Sequence, residues 1–515
     1  MAASLTRPAQ LAETLRQEIQ TGRLVPGQKL MSIQDLSQVY QVSVRTVREA
    51  LALLQQSGYL QCRPRRRALI LSGPVPQTAQ LIEQTLRQRD QFCDGYRAIQ
   101  RLLPLLLWQS RLMMNKNEFH DFFRYNRKIV RRKSDHSWQL SSVLFHGLLN
   151  YSGNPLFLDL YRVLEQQCLI PIIPGVPHPY EVLARNPQNR DFSLLLQDLQ
   201  DLHFSALQEK IGRMIENIQK TVSPYLQNLS AAVSDLPEPV FHFHWQTGSA
   251  FHTQTKSRLI AQQLILDILN GKLLPDTILP SEKALAAQWN VSVDTLRRSL
   301  HYLRQLQFIQ TINGKGSLIC SPDLNRLNPL TSPEIRQNSL TYLQALQLLC
   351  LLCVPAAQDA AATLHAAELE AAVSATLNAP HPPTALLDFL LTHQSSPTME
   401  AILRQVLQLI YAGSPYLYHA RKLPGGPVTP NVGCLLNQAL DALRQSQIPA
   451  YAQSIYQCFL LLFRESRAFL IQTGVSEAQR LQLPDTLPLT VFSKTHPEFR
   501  EFPNSLSDAK IRQRS

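Results

Sequence analysis

A chain of 515 residues with 44% hydrophobic content has room for about three or four domains and enough apolar side chains to bury ordinary cores, which excludes intrinsic disorder. The formal net charge of +12 favours a polyanionic partner. Residues 1–75 hold +6 of it (ten Lys/Arg against four Asp/Glu) and residues 250–322 hold +4 (eight against four), so two short stretches carry most of the excess.

The first residues lack the apolar segment of a signal peptide. The leucine-rich runs Leu102–Trp108 and Leu346–Val354 are short for a bilayer span and contain or abut Pro104 and Pro355. No amphipathic basic helix marks either terminus, so no membrane contact and a cytoplasmic location are expected. The eight cysteines are scattered, and Cys350-x-x-Cys353 sits inside Leu-Leu-Cys-Leu-Leu-Cys, which reads as helix core rather than a redox or zinc pair.

In chain order, Leu11, Leu15 and Ile19 recur every four residues and predict a helix that stops at Gly22, with a turn at Pro26-Gly27. Ser32 can cap a second helix carrying Leu36 and Val39. After a break at Gln41-Val42, Ser43 can cap a third, with Val47, Leu51 and Leu54 as its buried stripe and an end near Gly58. Tyr59-Leu60-Gln61 and Ala68-Leu69-Ile70 read as short strands around an Arg-rich tip, Arg63 to Arg67. Three helices and a β-hairpin make a winged helix-turn-helix.

The whole unit then returns. At an offset of 249 positions, residues 11–70 align without a gap to residues 260–319 with 20 identities, including Gly22/Gly271, Pro26/Pro275, Leu30/Leu279, Ser32/Ser281, Ser43/Ser292 and Leu51/Leu300. In the second copy Asn313-Gly314 is a strong signal for a tight hairpin turn, with both residues tolerating positive φ, and Lys315-Gly316 completes a small wing.

These residue types suit double-stranded DNA. The third helix can enter the major groove with its N-terminal end foremost, where its free N–H groups and dipole attract phosphate. Ser43, Arg45, Thr46 and Arg48 in copy one, and Ser292, Thr295, Arg297 and Arg298 in copy two, are placed to bond phosphates or base edges. Ser32 and Gln34, with Ser281 and Lys283, start the second helix, while Arg65, Arg66 and Arg67, with Gly314 and Lys315, form the wings that can track the backbone or enter the minor groove. Asp294 replaces Arg45 and would repel phosphate, partly offset by Arg298 in place of Glu49, so copy two reads as the weaker binder.

The module resembles the GntR family of bacterial transcriptional regulators. The matching residues are Gly22-Arg23-Leu24-Val25-Pro26-Gly27, Val42-Ser43, Val47-Arg48-Glu49-Ala50-Leu51 and Gly58-Tyr59-Leu60, then Leu279-Pro280-Ser281-Glu282-Lys283, Val291-Ser292 and Arg297. Both copies depart from the family in having Val44 and Val293 after the capping serine, and copy one carries Arg67 where a Gly is usual. The resemblance implies operator binding, dimers of roughly 250-residue subunits and an unidentified small-molecule effector.

After each module comes a strand-poor stretch with Leu/Ala/Gln periodicity, as in Leu194–Leu226 and Leu340–Leu364, which reads as an all-α bundle. The expected organisation is mainly α: winged helix-turn-helix 1–73, bundle 77–232, linker 233–255, second winged helix-turn-helix 256–322, second bundle 333–485 and tail 486–515. Phe145 to Leu156 resembles a signature of the FadR-subfamily effector domain, with a fainter echo in Leu387–Met399. That resemblance implies a metal held by an Asp four residues before His146 and by later histidines. Ser142 occupies the Asp position, Asp388 falls where the second bundle would have its His, and His242, His244 and His252 lack companion ligands, so no metal or other cofactor is expected. The basic run Arg124–Lys133 reads as a solvated helix face, with an accessory phosphate contact as the runner-up.

The expected function is therefore a DNA-binding transcriptional regulator, acting as an intramolecular pseudo-dimer or a homodimer. An enzyme fused to a DNA-binding domain would need a Gly-rich α/β half, and 18 glycines without alternating strands and helices oppose it. The alternative is a scaffold whose modules have lost DNA binding.

Overall fold

The computed structural model describes residues 6–488 apart from 23, 25, 41, 64–65, 74–77, 131–143, 181–182, 184–192, 242, 244, 246–255, 270–271, 307, 321–332, 380–381 and 414–430. Module one is α1 (Arg7–Gln20), α2 (Ile33–Val39), α3 (Val44–Gln56), β1 (Leu60–Gln61) and β2 (Leu69–Ile70). Bundle one follows with α4 (Thr78–Arg87), α5 (Arg89–Met113), α6 (Lys116–Val130), α7 (Pro155–Gln167), α8 (Ser193–Asp201) and α9 (Phe204–Ala231). Module two is α10 (Lys256–Leu269), α11 (Glu282–Gln288), α12 (Val293–Gln305), β3 (Ile309–Ile312) and β4 (Gly316–Ile319). Bundle two comprises α13 (Pro333–Thr363), α14 (Ala366–Leu377), α15 (Pro382–Thr392), α16 (Pro397–Gly413), α17 (Gly433–Arg444) and α18 (Ile448–Gln472). The mainly α class holds, and the only sheets among the described residues are the two hairpins.

The duplication extends to individual hydrogen bonds. Leu30 N donates to Ala68 O, and Leu279 N donates to Ser317 O, each at 2.8 Å; Ile70 N to Gln28 O (2.9 Å) repeats as Ile319 N to Thr277 O (2.8 Å). An isolated bridge, Lys29 with Leu69 and Ile278 with Leu318, adds a third edge to each hairpin at the same relative place. Gly27 adopts φ 88° there and its counterpart Asp276 φ 64°, so copy two holds a strained backbone without a glycine.

The second wing corrects one expectation. Ile312 pairs with Gly316, leaving a three-residue loop, Asn313 to Lys315, and positive φ falls on Gly314 (77°) and Gly316 (110°) rather than on Asn313. The chain therefore turns through a longer connection than a two-residue hairpin, with a glycine at each left-handed position.

Module one has its own core, built on Leu15, Leu36, Val47, Ala50, Leu54 and Ile70. The core of module two, including Leu296, Leu303 and Phe308, runs on continuously into the bundles. The two bundles share a plan: α5 packs on α7 and α9 with α8 on α9, as α13 packs on α16 and α18 with α17 on α18. They also pack on each other, α5 against α13 and α16, and α13 against α7. Helix α13 is long and apolar enough to cross a bilayer, since Pro355 lies inside it and does not end it. Its most apolar window is 94% buried between neighbouring helices, which accounts for that composition.

The periodic stretch Leu194–Leu226 falls on two helices, with a break at Leu202, whose φ is 55°. The first part of the 233–255 stretch is held to bundle one: Val240 N donates to Arg87 O, Arg89 Nη1 to Pro237 O, and Trp245 is buried.

Candidate nucleic-acid interface

Helices α3 and α12 start alike. Ser43 Oγ accepts from Thr46 N at 3.1 Å and Ser292 Oγ from Thr295 N at 3.2 Å, which satisfies one of the free N–H groups of the first turn. The two hydroxyls of each pair also lie 2.8 and 2.9 Å apart. Thr46 is buried, and Thr295 half-buried. Both threonines, expected to meet DNA, also take part in the cap that sets where the helix begins.

The exposed face of α3 carries Arg45 and Arg48. Arg45 Nε donates to Glu49 Oε1 at 2.8 Å, one turn on. Arg48 has no ion-pair partner among the described residues. On α12 the matching arginine is engaged: Arg297 Nε donates to Glu282 Oε2 at 2.8 Å, and Nη1 lies 3.5 Å from Asp294 Oδ1. These carboxylates raise the guanidinium pKa further, the Glu282 bond being the larger cause. Arg298 is exposed.

The second helices are capped by serines as well. Ser32 Oγ accepts from Asp35 N at 3.1 Å while Asp35 Oδ2 accepts from Ser32 N at 3.2 Å, a reciprocal cap. Those bonds hold the Asp35 carboxyl below its ordinary range, and the charge of the wing residue Arg67 adds to the effect. Gln34 is exposed beside them. In module two Ser281 Oγ accepts from Ala284 N at 3.2 Å, and Lys283 is exposed. Arg66 and Arg67 are exposed on the first wing, Gly314 and Lys315 on the second; Arg65 lies outside the described residues.

Glu282 is the residue that sequence reading passed over as part of this site. Its signal was present in the repeat alignment, where Ile33 stands at the same place in copy one.

The profile of the bacterial regulatory proteins, gntR family, matches residues 8–70 and again 256–319. Both modules belong to the gntR family. The gntR modules also align with curated relatives: HTH-type transcriptional regulator TreR of Bacillus subtilis (strain 168) is 47% identical over 60 residues, covering 12% of this chain and 24% of that protein. HTH-type transcriptional repressor NagR of the same organism is 36% identical over 74 residues, covering 14% and 30%. The chain thus spans less than a third of either relative's length. Among solved structures, E. coli McbR/YncC matches 43% of this chain and 100% of its own at 17% identity, with a TM-score of 0.24.

Beyond the gntR modules, His146 Nε2 lies 3.1 Å from Glu165 Oε2, and His178 Nε2 lies 3.0 Å from Ile170 O. Among the described residues no three His, Cys, Asp or Glu side chains converge as a metal site. Ser142, His242, His244 and His252 lie outside the described residues, as does the end of the basic run; at its start Arg124 pairs with Asp121 at 3.0 Å.

Proposed function

We propose that the chain is a DNA-binding transcriptional regulator whose two gntR modules each offer a recognition helix and a wing to the duplex, with the bundles serving pairing and the response to an unidentified small molecule. One observation carries this: each of the two modules combines an arginine-bearing, capped helix start with exposed basic wing residues. Capped helix starts favour phosphate, and exposed guanidinium groups supply base readout. Ser43, Arg45, Arg48, Gln34, Arg66 and Arg67 are the proposed contacts in copy one, and Ser292, Arg297, Arg298, Lys283, Gly314 and Lys315 in copy two. The pairing would be an intramolecular pseudo-dimer or a homodimer.

A second reading applies to copy two alone. The Glu282 and Asp294 carboxylates around Arg297 repel phosphate and favour a module that binds DNA more weakly than copy one or has lost binding. Selection of bound sequences from a random duplex pool, followed by gel shift of wild type and Arg48→Ala, tests the assignment. Enrichment of a defined sequence that depends on Arg48 supports it; a scaffold would enrich nothing.

A further inference from the structure

The contacts between the bundles are reciprocal in place but unlike in chemistry. From bundle one, the buried carboxylate of Asp94 on α5 accepts from Thr398 N at 2.8 Å, in the first turn of α16. From bundle two, α13 does the corresponding job for the start of α7: Asn154 Nδ2 donates to Gln344 O at 2.8 Å and to Gln347 Oε1 at 2.9 Å. A long helix of each half thus meets the N-terminal end of a shorter helix of the other, the pattern of a two-fold interface. Arg101 of α5 adds an ion pair to the buried Asp359 of α13 at 3.1 Å. Gln109 Nε2 and Gln347 Nε2, one from each half, both donate to Gln482 O, at 2.7 and 2.9 Å.

We infer that this seam can be completed only by the other half of the chain, so that one polypeptide takes the place of a two-subunit dimer. If bundle one met a copy of itself through this face, Asp94 would approach the start of α7. There the equivalent amide, Leu156 N, is already satisfied by Asn154 Oδ1 at 3.0 Å and is not open to Asp94 as Thr398 N is. If bundle two met a copy of itself, Thr398 N would lose its acceptor, because the Ser396 hydroxyl serves Met399 N instead. Each self-pairing forfeits the bond between Asp94 and Thr398, and a pair of second bundles also leaves the buried Asp359 without Arg101. Unlike pairing gives Asp94 Oδ2 the Thr398 amide and gives Asp359 the Arg101 guanidinium. Only residues 246–255 separate the buried Trp245 from Lys256 at the start of α10, so the second half is present at the high effective concentration that a short tether gives.

The test uses the full chain without DNA, so its outcome is independent of what the modules bind. Light scattering at micromolar concentration is expected to give the mass of one chain, 58.3 kDa. In Asp94→Ala the Thr398 amide, protected in wild type, is expected to exchange with solvent at least tenfold faster, while amides in the middle of α9 and α18 keep their protection. Asp94→Asn, which retains an acceptor oxygen, should recover most of the protection. Arg101→Glu, which sets a carboxylate against Asp359, should lower the melting temperature by several degrees and give exchange losses confined to α5, α13 and α16. A two-chain mass for wild type would overturn single-chain pairing. Unchanged exchange at Thr398 in Asp94→Ala, together with an unchanged melting temperature in Arg101→Glu, would overturn the role of the seam.

Discussion

Arg297 is bonded to Glu282 across two helices, whereas Arg48, its counterpart 249 positions earlier, has Ile33 where that carboxylate would stand. The two recognition helices are alike in fold and cap but differ in the charge they can offer. Arg48 is open to DNA with its full charge, and Arg297 must first exchange a carboxylate for a phosphate or a base. Arg48→Ala is therefore expected to weaken specific binding more than Arg297→Ala, by about tenfold against a few-fold, the size expected for loss of a specific arginine–guanine contact. Titrations over a range of salt should also show a steep dependence in wild type, as phosphate neutralisation dominates such affinities. Equal losses would contradict the asymmetry.

Glu282→Gln isolates the same relationship from the other side. Removing a negative charge from the groove-facing surface should raise affinity for DNA severalfold and make the logarithmic salt dependence steeper by up to about one unit. A fall in affinity would mean that Glu282 orients Arg297 for its contact, and the ranking of the two modules would reverse.

The operator should consist of unlike half-sites. Arg45 and Glu49 on one recognition helix face Asp294 and Arg298 on the other, so the groove edges they favour differ. Sequences selected by the full chain should lack two-fold symmetry; a perfect palindrome would count against separate readout by the two copies.

Burial sets the behaviour of the thiols. Loss of solvent pushes Cys93 up to about 11 and Cys458 to about 12, while Cys434 is exposed. In the native protein at neutral pH, an alkylating reagent should modify Cys434 quickly and these two slowly. The folded state holds those protons above the ordinary thiol value of 9.0, whereas the unfolded chain releases them there. Their contribution is therefore fully present below about pH 9 and is lost as pH rises toward 11 to 12. Melting temperature against pH across that window checks the sign.

Metal analysis of the purified chain should find no stoichiometric transition ion. His146 already has Glu165 at 3.1 Å, and His178 has the Ile170 carbonyl at 3.0 Å. About one tightly held ion per bundle, removable only with loss of thermal stability, would contradict this.

Much of the modules was legible in advance because their determinants are local. Ser32, Ser43, Ser281 and Ser292 all cap the helices they precede, and the spacing of Leu36, Val47, Leu51 and Leu54 marks the face that is buried. The burial of Thr46 and its bond to the Ser43 hydroxyl were not legible, because spacing gives the face of a residue only to within a fraction of a turn. In the bundles, periodicity showed which faces were apolar but not what covers them. Asp94, Asn154 and Asp359 look like ordinary helix-surface residues in the sequence; their partners lie 304, 190 and 258 positions away, and nothing local encodes such distances. Pro355 shows the same limit: in the sequence it abuts the apolar run Leu346–Val354, yet it sits inside α13, which packs on α16 and α18.

The bond from Thr398 to Asp94 also sets a timetable for biosynthesis. A ribosome adding about 5–20 residues per second needs roughly 15–60 s to travel the 304 residues between them. Throughout that interval the emerging first half displays α5 with its carboxylate and apolar seam uncovered. A nascent chain of this design is exposed to wrong neighbours, including other nascent copies on the same message, for far longer than a 250-residue subunit would be. Chaperone demand and sensitivity to translation speed should therefore centre on the stretch between the two long helices, where synonymous codon changes that slow elongation would reduce the yield of correctly closed protein.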